Sequence, residues 1–263
     1  MDIYKIVVQK LKYLNYSENT QKVYLYYIDE YLSKSKVHIS RVSAKEFQQY
    51  LDNYPFKSVS QQNQIINAIR FLYKYGLNKK YDKVHFNRPR SEKKLPRVID
   101  REHLIKSINN IENLKHKAII SLAFSVGLRV SEIINLKITD IDSSRMIIYI
   151  KNAKGRKDRI VPLSQTILTT LREYYKEYKP TEYLFNGQFS NQYSSASCNQ
   201  IVKKYIGKDY HFHLLRHSSF TAMLESGTDT RIIQKIAGHS NIKTTEIYTH
   251  VSNQLLSKVN LPI

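Results

Sequence analysis

The stretch MIIYIKNAKGRKDRIVPL, residues 146–163, is two short apolar runs around a basic turn. Residues 146–150 predict one strand and 160–163 a second, and Gly155 lets the chain reverse between them. This antiparallel hairpin interrupts a chain that otherwise reads as helix. Upstream, residues 115–124 form a continuous apolar helix that stops at Gly127, and 131–136 is helical again. Downstream, Ser164 opens a helix with Ile167, Leu168, Leu171 and Tyr174 on one face. Roughly the last seventy residues read as helix broken at Gly227 and Gly238. The class is therefore mostly α with a small antiparallel β-sheet.

Roughly the first 80 residues are helical by pattern. Ser17-Glu18-Asn19-Thr20 opens a segment with Val23, Tyr24, Tyr27, Ile28 and Tyr31 at helical spacing. Ser43-Ala44-Lys45-Glu46 is a capping box, in which hydroxyl and carboxylate satisfy each other's backbone amides. Residues 60–75 carry Ile65, Ile66, Ile69 and Leu72 on one side, and Gly76 is the stop. Residues 79–97 break the period. Lys79, Lys80, Lys83, Arg88, Arg90, Lys93 and Lys94 stand there with Pro89 and Pro96. Composition fits a solvated tether as well as a segment lying on phosphates, and the basic flanks favour the second. The predicted organisation is a helical domain over 1–85, a basic linker over 86–97 and a mixed α/β domain over 98–263.

The 263 residues hold 42 Lys and Arg against 22 Asp and Glu, a net charge of +20. Such a surplus calls for a polyanionic partner, nucleic acid before an anionic membrane surface. No run approaches the ~20 apolar residues of a membrane span, and the N-terminus lacks a signal-peptide pattern. A single cysteine, Cys198, leaves no intramolecular disulfide and no multi-cysteine zinc site. The chain reads as soluble and cytoplasmic.

Four segments carry chemistry: Gly127-Leu128-Arg129-Val130-Ser131-Glu132, the Lys154 turn, His213-Leu214-Leu215-Arg216-His217, and Gly238-His239-Ser240 with Tyr248 nine residues after His239. Arginine matches phosphate oxygens through a planar fork, so Arg129 and Arg216 can clamp one phosphate and stabilise the charge of its transition state. His213, three residues before Arg216, shares its helical face and can exchange a proton or donate to the phosphate. Lys154 on its turn can protonate a leaving oxygen. Tyr248 is a nucleophile only with help, since a free phenol titrates near ~10, and adjacent cations would favour its phenolate. Glu132 orients or neutralises rather than binding an ion. No carboxylate cluster suits a divalent metal and no cofactor is called for. His217 and His250 read as structural, and Lys151 and Lys157 as solvated or phosphate-touching.

On GLRVSE (127–132), KGRKDRIVPL (154–163), HLLRH (213–217) and GHSNIKTTEIYTH (238–250), the chain resembles the tyrosine recombinase, or phage integrase, family, especially its short Xer-like and mobile-element members. The likeness extends upstream through SENTQKVYLYYIDEYL (17–32) and LPRVIDREHL (95–104). It implies an N-terminal SAM-like core-binding domain and a catalytic domain with a C-terminal tail. It implies Arg129 and Arg216 as the active-site arginines and Lys154 as general acid toward the 5′-oxygen, with Lys157 as its substitute in another hairpin register. His213 would be base or hydrogen-bonding partner, His239 a phosphate ligand, Glu132 the supporting acid and Tyr248 the nucleophile of a 3′-phosphotyrosine bond. The partners implied are double-stranded DNA with inverted-repeat core sites and further copies of the chain, four on two sites. The tail, with Val251, Leu255, Leu256 and Val259 on one face, would dock in its own domain or in a neighbour.

Two other readings fit part of the sequence. Residues 229–237 and 241–250 around Gly238 have the look of a helix-turn-helix regulator without catalysis. A relaxing topoisomerase would use the same nucleophile and reseal without exchanging partners.

Overall fold

A computed structural model describes residues 3–35, 43–79, 88–90, 97–151, 158–239, 241, 243–246 and 248. Lys80, Lys83, Lys93, Lys94, Lys154, Lys157 and the expected tail helix lie outside the described residues. Two compact units divide the chain, Met1–Lys93 and Lys94–Ile263.

The first unit is built from α1 (Ile3–Tyr13), α2 (Glu18–Lys34), α3 (Ala44–Asp52) and α4 (Val59–Phe71). The starts of α2, α3 and α4 each follow a capping serine. The Ser17 and Ser58 hydroxyls accept from the amides of Thr20 and Gln61, and Ser43 and Glu46 close their box in full. Val7, Leu11, Ile28, Phe47, Ile65 and Ile69 are fully buried between the helices. Tyr31 meets the Phe47 ring at 4.7 Å and the Tyr50 ring at 4.9 Å. The last helix does not run on unchanged to Tyr75. It widens at Leu72–Gly76 into a π-turn. A Cβ on Gly76 would press against Leu72, Ile3 and Val7, so glycine there lets α1 approach the turn.

The second unit holds α5 (Arg101–Asn109), α6 (Leu114–Val126), α7 (Val130–Asn135), the strands β1 (Ile141–Asp142), β2 (Ile147–Ile150) and β3 (Arg159–Pro162), then α8 (Gln165–Tyr178), α9 (Ser195–Tyr205), α10 (Phe212–Glu225), α11 (Thr230–Ala237) and α12 (Lys243–Glu246). The strands form an antiparallel sheet in the order β1-β2-β3, with Ile148 opposite Val161 and Ile150 opposite Arg159. Ile148, Ile150 and Val161 point into the core, while Ile160 is half exposed. The apolar residues of α6 are spread around its circumference because it is the central helix, packed against both α8 and α10. The Ser218 hydroxyl of α10 accepts from the Ile99 amide at 2.7 Å and pins the entry of the chain into this unit. No helix among the described residues is long and apolar enough to cross a membrane.

Candidate active site

The start of α7, β3, α10 and the segment after α11 deliver the site. α6 ends at Gly127, whose φ of +65° reverses the chain. The left-handed turn suits glycine, and a Cβ there would strike the Phe220 ring. Arg129 is then the N-cap of α7 and Glu132 its third residue. Glu132 accepts from the Arg129 amide at 2.9 Å and from Arg129 Nη1 at 2.8 Å.

β3 adds Arg159, to which the sequence reading gave no role. Both its Nη atoms donate to Glu132 at 2.8 Å, and its Nε donates to the Ile236 carbonyl of α11 at 2.6 Å. Arg159 thus ties the hairpin strand to the helix before His239. Its partner lies 27 residues away, a separation no local motif reveals.

α10 supplies Arg216, buried to 1% exposure. Its Nη1 donates to the Gly127 carbonyl at 2.5 Å, and its Nη2 to the Ala237 carbonyl at 2.6 Å and to His239 Nε2 at 3.0 Å. The guanidinium lies 4.7 Å over the Phe220 ring and 4.0 Å from a Glu132 oxygen. Burial, then the charge of Arg129, lowers its proton affinity, yet a guanidinium remains a cation at neutral pH.

His239 follows the left-handed stop of α11 at Gly238. Its Nδ1 lies 2.9 Å from the Thr245 hydroxyl, so both ring nitrogens are engaged in this state. Burial and the surrounding Arg216, Arg129 and Arg159 charges push its imidazolium down to about 4, which keeps the ring neutral.

Tyr248 is 2% exposed, with its ring 5.5 Å from Phe220. Sequence reasoning expected the adjacent cations to favour its phenolate. Arg216 and Arg129 do pull in that direction, but burial outweighs them and the phenol sits above its ordinary value. The hydroxyl lies 3.1 Å from Nδ1 of His217, a residue the sequence reading left as structural. His213 stands exposed on α10, its ring 4.6 Å from that of His217. Burial, and after it Arg216, His211 and Arg129, lowers its pKa.

Of the candidate DNA contacts, Lys79, Arg88 and Arg90 are among the described residues. Lys79 places its ammonium 6.0 Å over the Tyr73 ring. Arg88 is spanned across α4, donating to Asn63 and Asn67 at 2.7 Å each. Arg90 is exposed. Lys151, read as solvated or phosphate-touching, is exposed and also paired with buried Asp140 at 2.6 Å. Among the described residues no group of three or more His, Cys, Asp or Glu is placed to hold a metal ion.

Glu132 is the hub of these contacts, and its removal has a calculable cost. Burial alone would raise its carboxyl. The hydrogen bonds and charge of Arg159, then the Arg129 amide and guanidinium, override that and hold it at about 2. A depressed carboxyl adds stability above its unfolded value near ~4.5, and that gain is lost as the pH falls through about 2. Glu132→Gln is therefore expected to destabilise this unit by about 3–5 kcal/mol at pH 7, the cost of leaving buried guanidiniums without their counter-charge. Denaturant titrations of both proteins should show the gap closing as pH falls toward 2.

Comparison with known proteins agrees with this arrangement. Residues 97–254 match the model of the phage integrase family, and residues 3–83 match that of the phage integrase N-terminal SAM-like domain. The chain is 35% identical to the tyrosine recombinase XerA of Pyrococcus horikoshii, over 91% of this chain and 86% of that protein. It is similar to the crystal structure of a XerA recombinase, with a TM-score of 0.58 and 26% identity over 97% of this chain and 95% of the other. A XerH site-specific recombinase bound to its difH substrate in a pre-cleavage complex matches with a TM-score of 0.70 and 25% identity, over 91% of this chain and 77% of that one.

Proposed function

The chain belongs to the phage integrase family and is a tyrosine-type site-specific recombinase; we propose that Tyr248 is its nucleophile and that Arg129 and Arg216 hold the scissile phosphate. The observation that carries this reading is their convergence: Arg216 and Tyr248 both pack on the Phe220 ring, at 4.7 and 5.5 Å, and Glu132 binds Arg129 at 2.8 Å and lies 4.0 Å from Arg216. Tyr248 attacks phosphorus, the 5′-oxygen leaves with a proton from Lys154, and the bond energy is kept in a 3′-phosphotyrosine. The matching 5′-hydroxyl of a second duplex then attacks that bond and regenerates the tyrosine. Energy conservation removes any need for ATP. Glu132 holds Arg129, and His239 reaches the phosphate once its bond to Arg216 is exchanged for one to substrate.

Double-stranded DNA is the substrate, a reading supported by the XerH recombinase bound to its difH substrate. Inverted-repeat core sites, four protomers on two sites, exchange through a Holliday junction and a cytoplasmic setting complete the proposal. Lys79, Lys80, Lys83, Arg88, Arg90, Lys93, Lys94 and Lys157 are proposed to touch the backbone, in which case affinity falls steeply with salt. The proposed domain limits are 1–85, 86–97 and 98–263. A regulator reading fits the site poorly. Tyr248, in the second half of that helix-turn-helix motif, is buried against Phe220 and bonded to His217 rather than turned toward a groove.

Metal-free covalent capture tests the reading. The protein is incubated with sheared DNA from its own locus, quenched in detergent, and the linked ends are sequenced. The expected result is ends at one short inverted repeat, with the adduct mapped by mass spectrometry to the peptide containing Tyr248. An adduct on another residue would overturn the assignment, and relaxation of a supercoiled plasmid without exchange between two sites would favour a topoisomerase. Ends at a chromosomal site indicate dimer resolution, and ends at a mobile-element border indicate integration or excision.

A further inference from the structure

We infer that His217 is the proton acceptor for Tyr248, taking the phenol proton as the oxygen attacks phosphorus and returning it when the tyrosine leaves. This rests on the reading of Tyr248 as nucleophile. His217 Nδ1 is the ring nitrogen 3.1 Å from the Tyr248 hydroxyl, with ring centroids 5.6 Å apart. The contact is made inside the protein, where Tyr248 is 2% exposed and the His217 ring nitrogen is its hydrogen-bond partner. His217 also follows Arg216 directly in α10, so one turn of helix fixes both the phosphate cation and the base.

The chemistry requires a neutral ring with its proton on Nε2 and a lone pair on Nδ1. The groups facing His217 keep it so. His211, His213 and Arg216 come from α10 and its start, His239 from the loop after α11, and Tyr248 from the C-terminal segment. Burial first, then His213, Arg216 and His211, hold His217 at about 4. Such a weak base does not ionise the resting phenol. It takes the proton as the Oη–P bond forms, because an esterified phenolic oxygen no longer holds it. In that step Oη–H breaks and Nδ1–H forms, while Oη–P forms and P–O5′ breaks. The 5′-oxygen is protonated separately, by Lys154 in the proposed mechanism. On religation the departing tyrosine oxygen recovers its proton from Nδ1.

The test is single-turnover cleavage of the DNA site recovered by covalent capture, with wild type, His217→Asn and Tyr248→Phe measured across pH. Asparagine fills the position and can hydrogen-bond, but it cannot take a proton. At pH 7 the His217→Asn rate is expected to fall about 10²–10⁴-fold with DNA affinity unchanged. The deficit should shrink about tenfold per pH unit as solvent ionises more of the phenol. A wild-type rate, or a deficit equal at every pH, would overturn the inference and leave His217 a structural residue. Adducts formed by Tyr248→Phe would instead remove the nucleophile itself. Should His217→Asn fail to fold, ¹⁵N resonances of the wild-type protein decide. An unprotonated Nδ1 that responds to Tyr248→Phe supports the inference, and a protonated Nδ1 overturns it.

Discussion

Tyr248→Phe is expected to abolish covalent protein–DNA complexes while leaving DNA affinity unchanged. The substitution removes one oxygen and nothing else. The ring keeps its place 5.5 Å from Phe220, in the cluster with Leu224, Ile233 and Ala237, so the fold survives. What is lost is the hydrogen bond to His217, worth about 1 kcal/mol and small against the stability of a domain. Phosphate binding does not pass through that oxygen, whereas the phosphotyrosine bond cannot form without it. The chain has 21 tyrosines, but none of the other twenty is expected to substitute, because attack needs the arginines beside the attacking atom. Detergent-resistant complexes counted on a gel, beside a binding titration of the same protein, check both halves. Residual adducts at the wild-type site would move the nucleophile elsewhere.

Much of this site was legible because its positions are set by local rules. The Ser43-to-Glu46 box, the left-handed stop at Gly127 and the Ser164 start are decided within four residues of sequence, and all three stand in the structure. The hairpin was legible for the same reason, though β3 begins at Arg159, one residue before its apolar run, because that arginine is drawn inward by Glu132. The illegible parts are contacts between segments. His217 meets a residue 31 positions away, and Arg159 one 27 away. On a helix wheel, His217 is a polar residue next to Arg216 and nothing more. The resting state of Tyr248 was missed for a different reason. Counting nearby cations gives the sign of one contribution to its pKa, but burial is the larger one and is invisible before folding.

Arg216→Ala is expected to slow cleavage by about 10³–10⁵-fold, the range an arginine commands when it stabilises a phosphoryl transition state. The charge balance of the resting site gives the reason. Arg129, Arg159 and Arg216 bring three positive charges around the single carboxylate of Glu132, and His217 and His239 are held neutral. Two positive charges are left uncancelled. A phosphodiester attacked by a phenol oxygen that gives up its proton on the way approaches a pentacoordinate state carrying two negative charges, so the surplus is matched to the transition state rather than to the ground state. Arg159 does not fill the gap, because the two-toothed face of its fork is already turned on the Glu132 carboxylate and its Nε on the Ile236 carbonyl. Arg216 has five donors, three of them used on Gly127, Ala237 and His239, which leaves two for phosphate oxygens. Those two carbonyls stand at the C-terminal ends of α6 and α11, where the helix dipoles favour a cation and fix its direction. Alanine also leaves both carbonyls without their donor, at about 1–3 kcal/mol each, so the melting point will fall as well. Arg216→Lys separates the two effects. It restores the charge but not the fork, and is expected to recover much of the stability while cleavage stays far below wild type. Single-turnover rates at a temperature where all three proteins are folded make the comparison. If lysine restored the rate as fully as the stability, Arg216 would serve as a point charge rather than as a fork on the phosphate.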